Sequence, residues 1–272
     1  MRKVVIFIAC LLLAAVVCAQ VYKSFFAPQI PVINPKGTTV LTRFNAPKGY
    51  TIVKAQAGTF AAYLQQLPLK KAGMPALNYK GNIARTDVYT AAVVNLSLGN
   101  ADLQQCADAV MRLRGEYYFH QKNYKAISFN FTSGFKCDFV HYADGYRYQN
   151  ERWVLKACKD YSYASFMRYM TLVFSYAGTL SLQKELKPVT NPTNLQIGDV
   201  FIRGGSPGHC FMVMNIAEQN GKKLFLLAQS YMPAQDIQIL QDENGPWFAL
   251  DKPAGIMYAD LIDKTYLKRF AE

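Results

Sequence analysis

Histidine is scarce in this chain: His120, His141 and His209 are the only three among 272 residues. The cysteines show no CxxC spacing, and with so few histidines to join them a structural zinc site is not expected. Carboxylates are also few, 18 Asp and Glu against 30 Lys and Arg. The cations are nevertheless dispersed, with no basic block, which together with the export signal read below argues against a nucleic-acid partner. Beyond the first twenty residues no run is long and apolar enough to span a bilayer. A phosphate cradle is not expected either. GGSPG at 204–208 leads into a strand pattern and lacks the lysine and helix that follow in a phosphate loop. No internal repeat is visible.

What is present begins with MRKVVIFIACLLLAAVVCAQ. Arg2 and Lys3 form a basic start, Val4 to Val17 an apolar stretch, and Val17-Cys18-Ala19 a small-residue cleavage site, so residues 1–19 read as an export signal cut after Ala19. A single membrane anchor is the alternative, for which the run is short. A lipid anchor at Cys18 is another, which Val17 fits poorly. Residues 20–38 read as an N-terminal arm, and 39–272 as one domain of a size that supports a single core. Without Arg2 and Lys3 the formal charge falls from +12 to +10. That bias favours acidic surfaces such as cell-wall polymers or anionic lipid heads. The expected location is periplasmic or cell-surface.

Four cysteines remain after processing: Cys106, Cys137, Cys158 and Cys210. In an oxidising compartment Cys137–Cys158 is the pairing expected from sequence position.

The segment TTVLTRF reads as one short strand, and TFAAYLQQLPL as a helix closed by its proline. VYTAAVVNLSLG is β-branched and apolar, a buried strand. NADLQQCADAVMRLRGEYYFHQ is the best helix pattern in the chain. Asp102 followed by Gln105 gives a capping-box signature that predicts its start at Asp102. Leu103, Cys106, Ala107, Val110, Leu113 and Tyr117 fall on one face, with Arg112 and Glu116 elsewhere. Aromatic-rich segments follow and end in a helical run, SYASFMRYMTLVFSYAGTLSLQKEL. After KPVTNPTN the period changes to strands: IGDVFIR, HCFMVMNI, KKLFLLAQS and DIQIL, separated by turn residues. The order predicts an α+β fold, an antiparallel meander behind a helical half. The C-terminal part reads as closing loops and a short basic terminus.

His209 sits where the glycine-rich turn becomes an apolar strand. With a turn centred on Gln219 and Asn220, the hairpin places His209 opposite Gln229 to Tyr231, so that an amide oxygen can fix the imidazole's tautomer. Cys210 points to the other face and reads as core with Met212 and Met214. Cys106 serves better as nucleophile, because free backbone N–H groups and the helix dipole at a helix start stabilise a thiolate. Cys137, behind Ser133-Gly134, is the rival thiol. The order Cys106, His209, Gln229 is the papain order. Against this, a cysteine on an apolar helix face is ordinarily core, and a strand-edge histidine ordinarily incidental.

DLQQCADAVMRLRGEY, FTSGFKCDFVHYADGYRY, GDVFIRGGSPGHCFMVMN and LLAQSYMPAQDIQIL together resemble an exported bacterial family designated only as a domain of unknown function, DUF 4846, over roughly Thr39 to Phe270. A weaker likeness joins GDV, a spacer, and GH before an apolar strand to the NlpC-type cell-wall peptidases. That likeness implies a papain-like fold with the cysteine helix packed on the β-meander. It also implies roles: Cys106 as nucleophile, His209 as base, Gln229 as orienter, with Asp199 and Gly208 matching the flanking pattern. The family's cysteine usually follows Asp and precedes Ser-Gly, whereas here it reads QQCAD, and the interval to the histidine is longer.

The functional expectation is an exported cysteine hydrolase cutting an amide or peptide bond, in cell-wall material, with no cofactor. Gln104 or Gln105 is the side-chain candidate for an oxyanion site beside the helix-start N–H groups. The alternative is a non-catalytic exported module that binds a glycan or peptide through its Tyr- and Phe-rich loops.

Overall fold

The computed structural model describes residues 31–271, so the expected export signal, Cys18 and most of the expected N-terminal arm lie outside the described residues. Val32 onward forms one compact unit of mixed α+β character. Its strands in chain order are β1 (Thr51–Ile52), β2 (Thr90–Val93), β3 (Ser128–Asn130), β4 (Lys136–Asp138), β5 (Tyr146–Gln149) and β6 (Arg152–Leu155). There follow β7 (Lys187–Pro188), β8 (Val200–Arg203), β9 (His209–Gln219), β10 (Lys222–Gln229), β11 (Gln238–Leu240) and β12 (Leu267–Arg269). The helices are α1 (Val40–Arg43), α2 (Phe60–Gln66), α3 (Cys106–His120), α4 (Phe139–Ala143), α5 (Tyr163–Tyr176) and α6 (Thr179–Glu185). One antiparallel sheet runs in the order β2-β11-β10-β9-β8-β12-β7, with β1 added to β9.

The meander β8-β9-β10-β11 forms as expected. Its long hairpin turns on Asn220-Gly221, both at positive φ (50° and 78°), which suits the right-handed twist of the flanking strands. The turn is therefore one residue later than the one the sequence reading assumed. Continued unchanged, the register beside the turn, Lys222 with Gln219, would set Gln229 opposite Met212 and so on the face away from His209. A bulge corrects it. Asn215 pairs with Leu226 but Val213 pairs with Leu227, so Met214 is the extra residue.

The two faces of the sheet are both covered, which is why β9 is buried over nearly its whole length. Cys210, Met212, Met214, Leu226 and Ala228 share a core with α3 and α5. Phe211, Val213, Ile216, Phe225 and Leu227 pack under Phe248, Ile256, Leu261 and Ile262 from the C-terminal loops. Those loops end in a strand the sequence reading did not expect: β12 lies between β8 and β7. Asp199, just before β8, holds it there. Arg269 Nε donates to Asp199 Oδ1 at 2.5 Å, and a terminal guanidinium nitrogen donates to Oδ2 at 2.9 Å.

Three other expectations change. TTVLTRF is a helical turn rather than a strand, because Thr39 caps α1 by accepting from Thr42 N–H. VYTAAVVNLSLG contributes only the four residues of β2. The helical run after Tyr161 divides at Ala177-Gly178 into α5 and α6.

Candidate functional site

Helix α3 starts at Cys106, four residues later than predicted, and Gln105 is its N-cap in extended conformation. The Gln105 backbone N–H donates to Asp108 Oδ2 at 3.0 Å, the reciprocal half of a capping box. Asp102 does not cap the helix. Its Oδ1 accepts from Ala234 N–H at 2.6 Å and from the Gln105 side chain at 3.2 Å. The late start places Cys106 on the first helical residue, where backbone N–H groups have no partner within the helix.

The Cys106 thiol is held well below the ordinary thiol range. The largest cause is a hydrogen bond from the Cys210 side chain. The His209 side chain contributes a further hydrogen bond and a favourable charge, and the Ala107 backbone adds another bond; burial acts in the opposite sense. Cys210 is held well above its ordinary range as the donor of that pair, with burial adding to it.

His209 is fully buried, and its Nε2 lies 2.8 Å from Gln229 Oε1. Which imidazole nitrogen carries the proton can be traced to a backbone carbonyl. Only a donor can face Thr86 O, so Gln238 Nε2 takes that position at 3.0 Å and also donates to Thr90 Oγ1 at 2.7 Å. Gln238 Oε1 then accepts from Gln229 Nε2 at 3.3 Å, leaving Gln229 Oε1 for the imidazole. Neutral His209 therefore carries its proton on Nε2 and keeps Nδ1 as the basic atom. Nδ1 makes no hydrogen bond.

Three aromatic rings enclose the imidazole. Tyr258 stacks on it at 4.7 Å between centroids, while Phe211 and Tyr231 meet it edge-on at 4.8 and 5.5 Å. Tyr258 adopts left-handed backbone geometry, φ 60°, a sparsely populated conformation for a large residue. The rings exclude water from the His209–Gln229 bond and so strengthen it.

Cys106 lines a cleft of about 410 Å³ together with Gln105, Asp108, Gly178, Ser206 and Tyr258. The 204–208 turn forms one wall and is fixed to α6: Gly204 N–H donates to Gln183 Oε1 at 2.5 Å. Gly208 has no room for a side chain, since a Cβ there would lie 2.3 Å from both Gly205 O and Thr179 Oγ1. A somewhat larger cavity, about 460 Å³, is lined by Phe60, Arg114, Lys223 and Arg269. It contains no thiol or histidine.

The structure thus brings Cys106, His209 and Gln229 together. Gln105 lines the cleft, with its side-chain nitrogen on Asp102. Gln104 is buried beside it, and its Oε1 accepts from Arg112 at 3.1 Å. Arg112 and Glu116, read as lying off the apolar face, form a buried ion pair at 2.7 Å. Cys137 is fully buried and burial raises its thiol far above the ordinary range, so it is no rival to Cys106. Cys137 and Cys158 are both unpaired, the second exposed, in place of the disulfide expected between them. Cys210 is core, as read, but it faces α3 and therefore meets Cys106.

Sequence reasoning missed Asp108, Tyr258 and Gln238. Asp108 carried a signal, a carboxylate three residues after a helix cap. Its own state is set by burial, which raises the carboxyl well above its usual range, and its Oδ1 has no partner. Tyr258 and Gln238 had none, because loop closure and the β11 register place them. Among the described residues there is no group of three or more His, Cys, Asp or Glu arranged to hold a metal ion. No helix among them is long and apolar enough to cross a membrane.

Fold and site together define an α+β domain that sets a helix-start cysteine against a strand histidine oriented by an amide. The chain belongs to the family described as Domain of unknown function (4846), which it matches over residues 40–262. Comparison with curated proteins and with solved structures finds no match.

Proposed function

We propose that the protein is a papain-like cysteine hydrolase that cleaves an amide bond, with peptide material of the cell wall as its substrate class. The observation that carries this is the Cys106 thiol at the first residue of α3, held down by the neighbouring His209, whose tautomer is fixed through Gln229 and whose Nδ1 is left without a hydrogen bond. Cys106 thiolate adds to the amide carbonyl carbon. The resulting oxyanion faces the unpaired N–H groups at the start of α3, beside Gln105. Protonated His209 gives its proton to the leaving nitrogen, the C–N bond breaks and a thioester remains. Neutral His209 then takes a proton from water, whose oxygen attacks the thioester, releasing a carboxylic acid and restoring the thiol pair. The Cys, His, amide order and the Gly208-His209 entry to a strand support the kinship with NlpC-type peptidases. The basic, apolar-and-small-residue pattern of residues 1–19 supports export.

The test is the pH dependence of Cys106 alkylation in the protein and in His209→Ala. The expected inflection in the wild type lies below the ~8.5 of a free thiol and moves toward it in the variant. A Cys106 that is unreactive and indifferent to His209 would refute the hydrolase reading and leave a binding module.

A further inference from the structure

The mechanism above has no use for a second thiol, yet one is in contact with the nucleophile. Cys210 points from β9 into the core that α3 covers, and its side chain is the hydrogen-bond partner of Cys106. The two thiols differ in access. Cys106 lines the cleft, whereas Cys210 has no exposed surface. A reagent entering the cleft therefore meets Cys106 first, and any oxidised species formed there has the Cys210 thiol beside it.

We infer that Cys106 and Cys210 form an oxidative modification site, in which a hydroperoxide oxidises Cys106 and Cys210 resolves the product to an intramolecular disulfide. In the first step the Cys106 thiolate sulfur attacks one peroxide oxygen. The O–O bond breaks, and the departing oxygen takes the proton held by His209 and leaves as water or an alcohol. Cys106 is now a sulfenic acid, oxidised by two electrons at the expense of the peroxide. In the second step the Cys210 sulfur attacks the Cys106 sulfur. The S–O bond breaks, the S–S bond forms, and the hydroxyl group leaves as water with the Cys210 proton. An external thiol restores both side chains by exchange. The disulfide withdraws the nucleophile reversibly and prevents its irreversible oxidation to a sulfinic acid.

No other described cysteine is placed for this. Cys137 lies fully buried beneath Tyr169, and Cys158 is on the surface. The inference goes beyond amide hydrolysis and does not require it, because it needs only the reactive thiol and its neighbour.

The experiment treats the full chain with hydrogen peroxide and maps thiols by mass spectrometry of non-reduced digests. The expected product is a Cys106–Cys210 linked peptide that has lost two hydrogens, with Cys137 reduced. Alkylation of Cys106 disappears and dithiothreitol restores it in full. In Cys210→Ala, Cys106 instead gains oxygen, is captured by a sulfenic-acid reagent, and after excess peroxide is no longer restored. Wild-type Cys106 that passes to sulfinic acid without cross-linking would overturn the inference. So would peroxide that leaves Cys106 as reduced as Cys137. Neither readout uses turnover: a cross-link without hydrolysis sinks only the hydrolase proposal, and hydrolysis without a cross-link sinks only this one.

Discussion

Arg112 and Glu116 offer the sharpest test of what holds the Cys106 helix in place. Both are almost wholly buried, 2% and 1% exposed. Arg112 Nε donates to Glu116 Oε1 at 2.7 Å, one terminal nitrogen donates to Gln104 Oε1 at 3.1 Å, and the other to Tyr163 Oη at 3.1 Å. Tyr163 in turn donates to the same Glu116 oxygen at 2.7 Å. Two unit charges this close attract by about 6 kcal/mol at an effective dielectric of about 20, against which both have lost their hydration. Removing one partner leaves the other charge buried, so Arg112→Leu is expected to destabilise the fold by about 3–5 kcal/mol. At about 2–4 °C per kcal/mol for a domain of this size, the unfolding midpoint should fall by roughly 6–20 °C. The double variant Arg112→Leu/Glu116→Leu removes both charges and should lose less than either single one. Thermal unfolding of the four proteins followed by circular dichroism gives the cycle. Single variants that cost under about 1 kcal/mol, or a double variant equal to the sum, would refute the reasoning. Alkylation of Cys106 in the same set reads whether loss of the Gln104 anchor loosens the helix start.

Gln238→Leu removes the amide that orients Gln229. At about 1 kcal/mol for the bond, Cys106 alkylation at neutral pH should slow about fivefold, as in Gln229→Leu; an unchanged pH profile would show that Gln238 only packs. Glu185 on α6 accepts from Asn130 N–H at 2.8 Å, and burial pushes its carboxyl up to about 7. A carboxyl raised on folding lends stability that is complete below its unfolded value of about 4.5 and is lost as pH rises through about 7. Glu185→Gln should therefore raise stability by about 2–3 kcal/mol above that range and leave it unchanged below pH 4; melting curves that keep the wild-type pH dependence would sink this account.

The meander, α2 and α3 were legible because period, caps and turn residues all operate within a few positions. The His209–Gln229 pairing was legible for a less secure reason. The turn lies one residue later than expected, and the bulge at Met214 returns Gln229 to the His209 face and the register to the expected range. Bulges leave no reliable mark in an apolar run such as FMVMNI. The start of α3 was misread because Asp102 and Gln105 fit a capping box, while tertiary contacts draw Asp102 to Ala234 instead. Arg112 and Glu116 were placed off the apolar face but given no partners, since partners on distant segments are invisible to helical periodicity. Cys210 was assigned to the correct face, but which face α3 covers is a packing outcome. Thus Cys106 and His209 were readable as types in context, whereas Asp108, Tyr258 and Gln238 owe their places to long-range closure.

The position of β12 also has a consequence in time. It pairs with β8 on one side and β7 on the other, so β8 keeps an open edge until residues 267–269 have been synthesised. An unpaired edge invites pairing with another chain. During synthesis the histidine hairpin can form early, yet the strand beside it stays exposed until almost the last described residues emerge. The nascent chain thus passes through a stage in which its sheet is built but unclosed, the stage at which a holding chaperone would have something to grip.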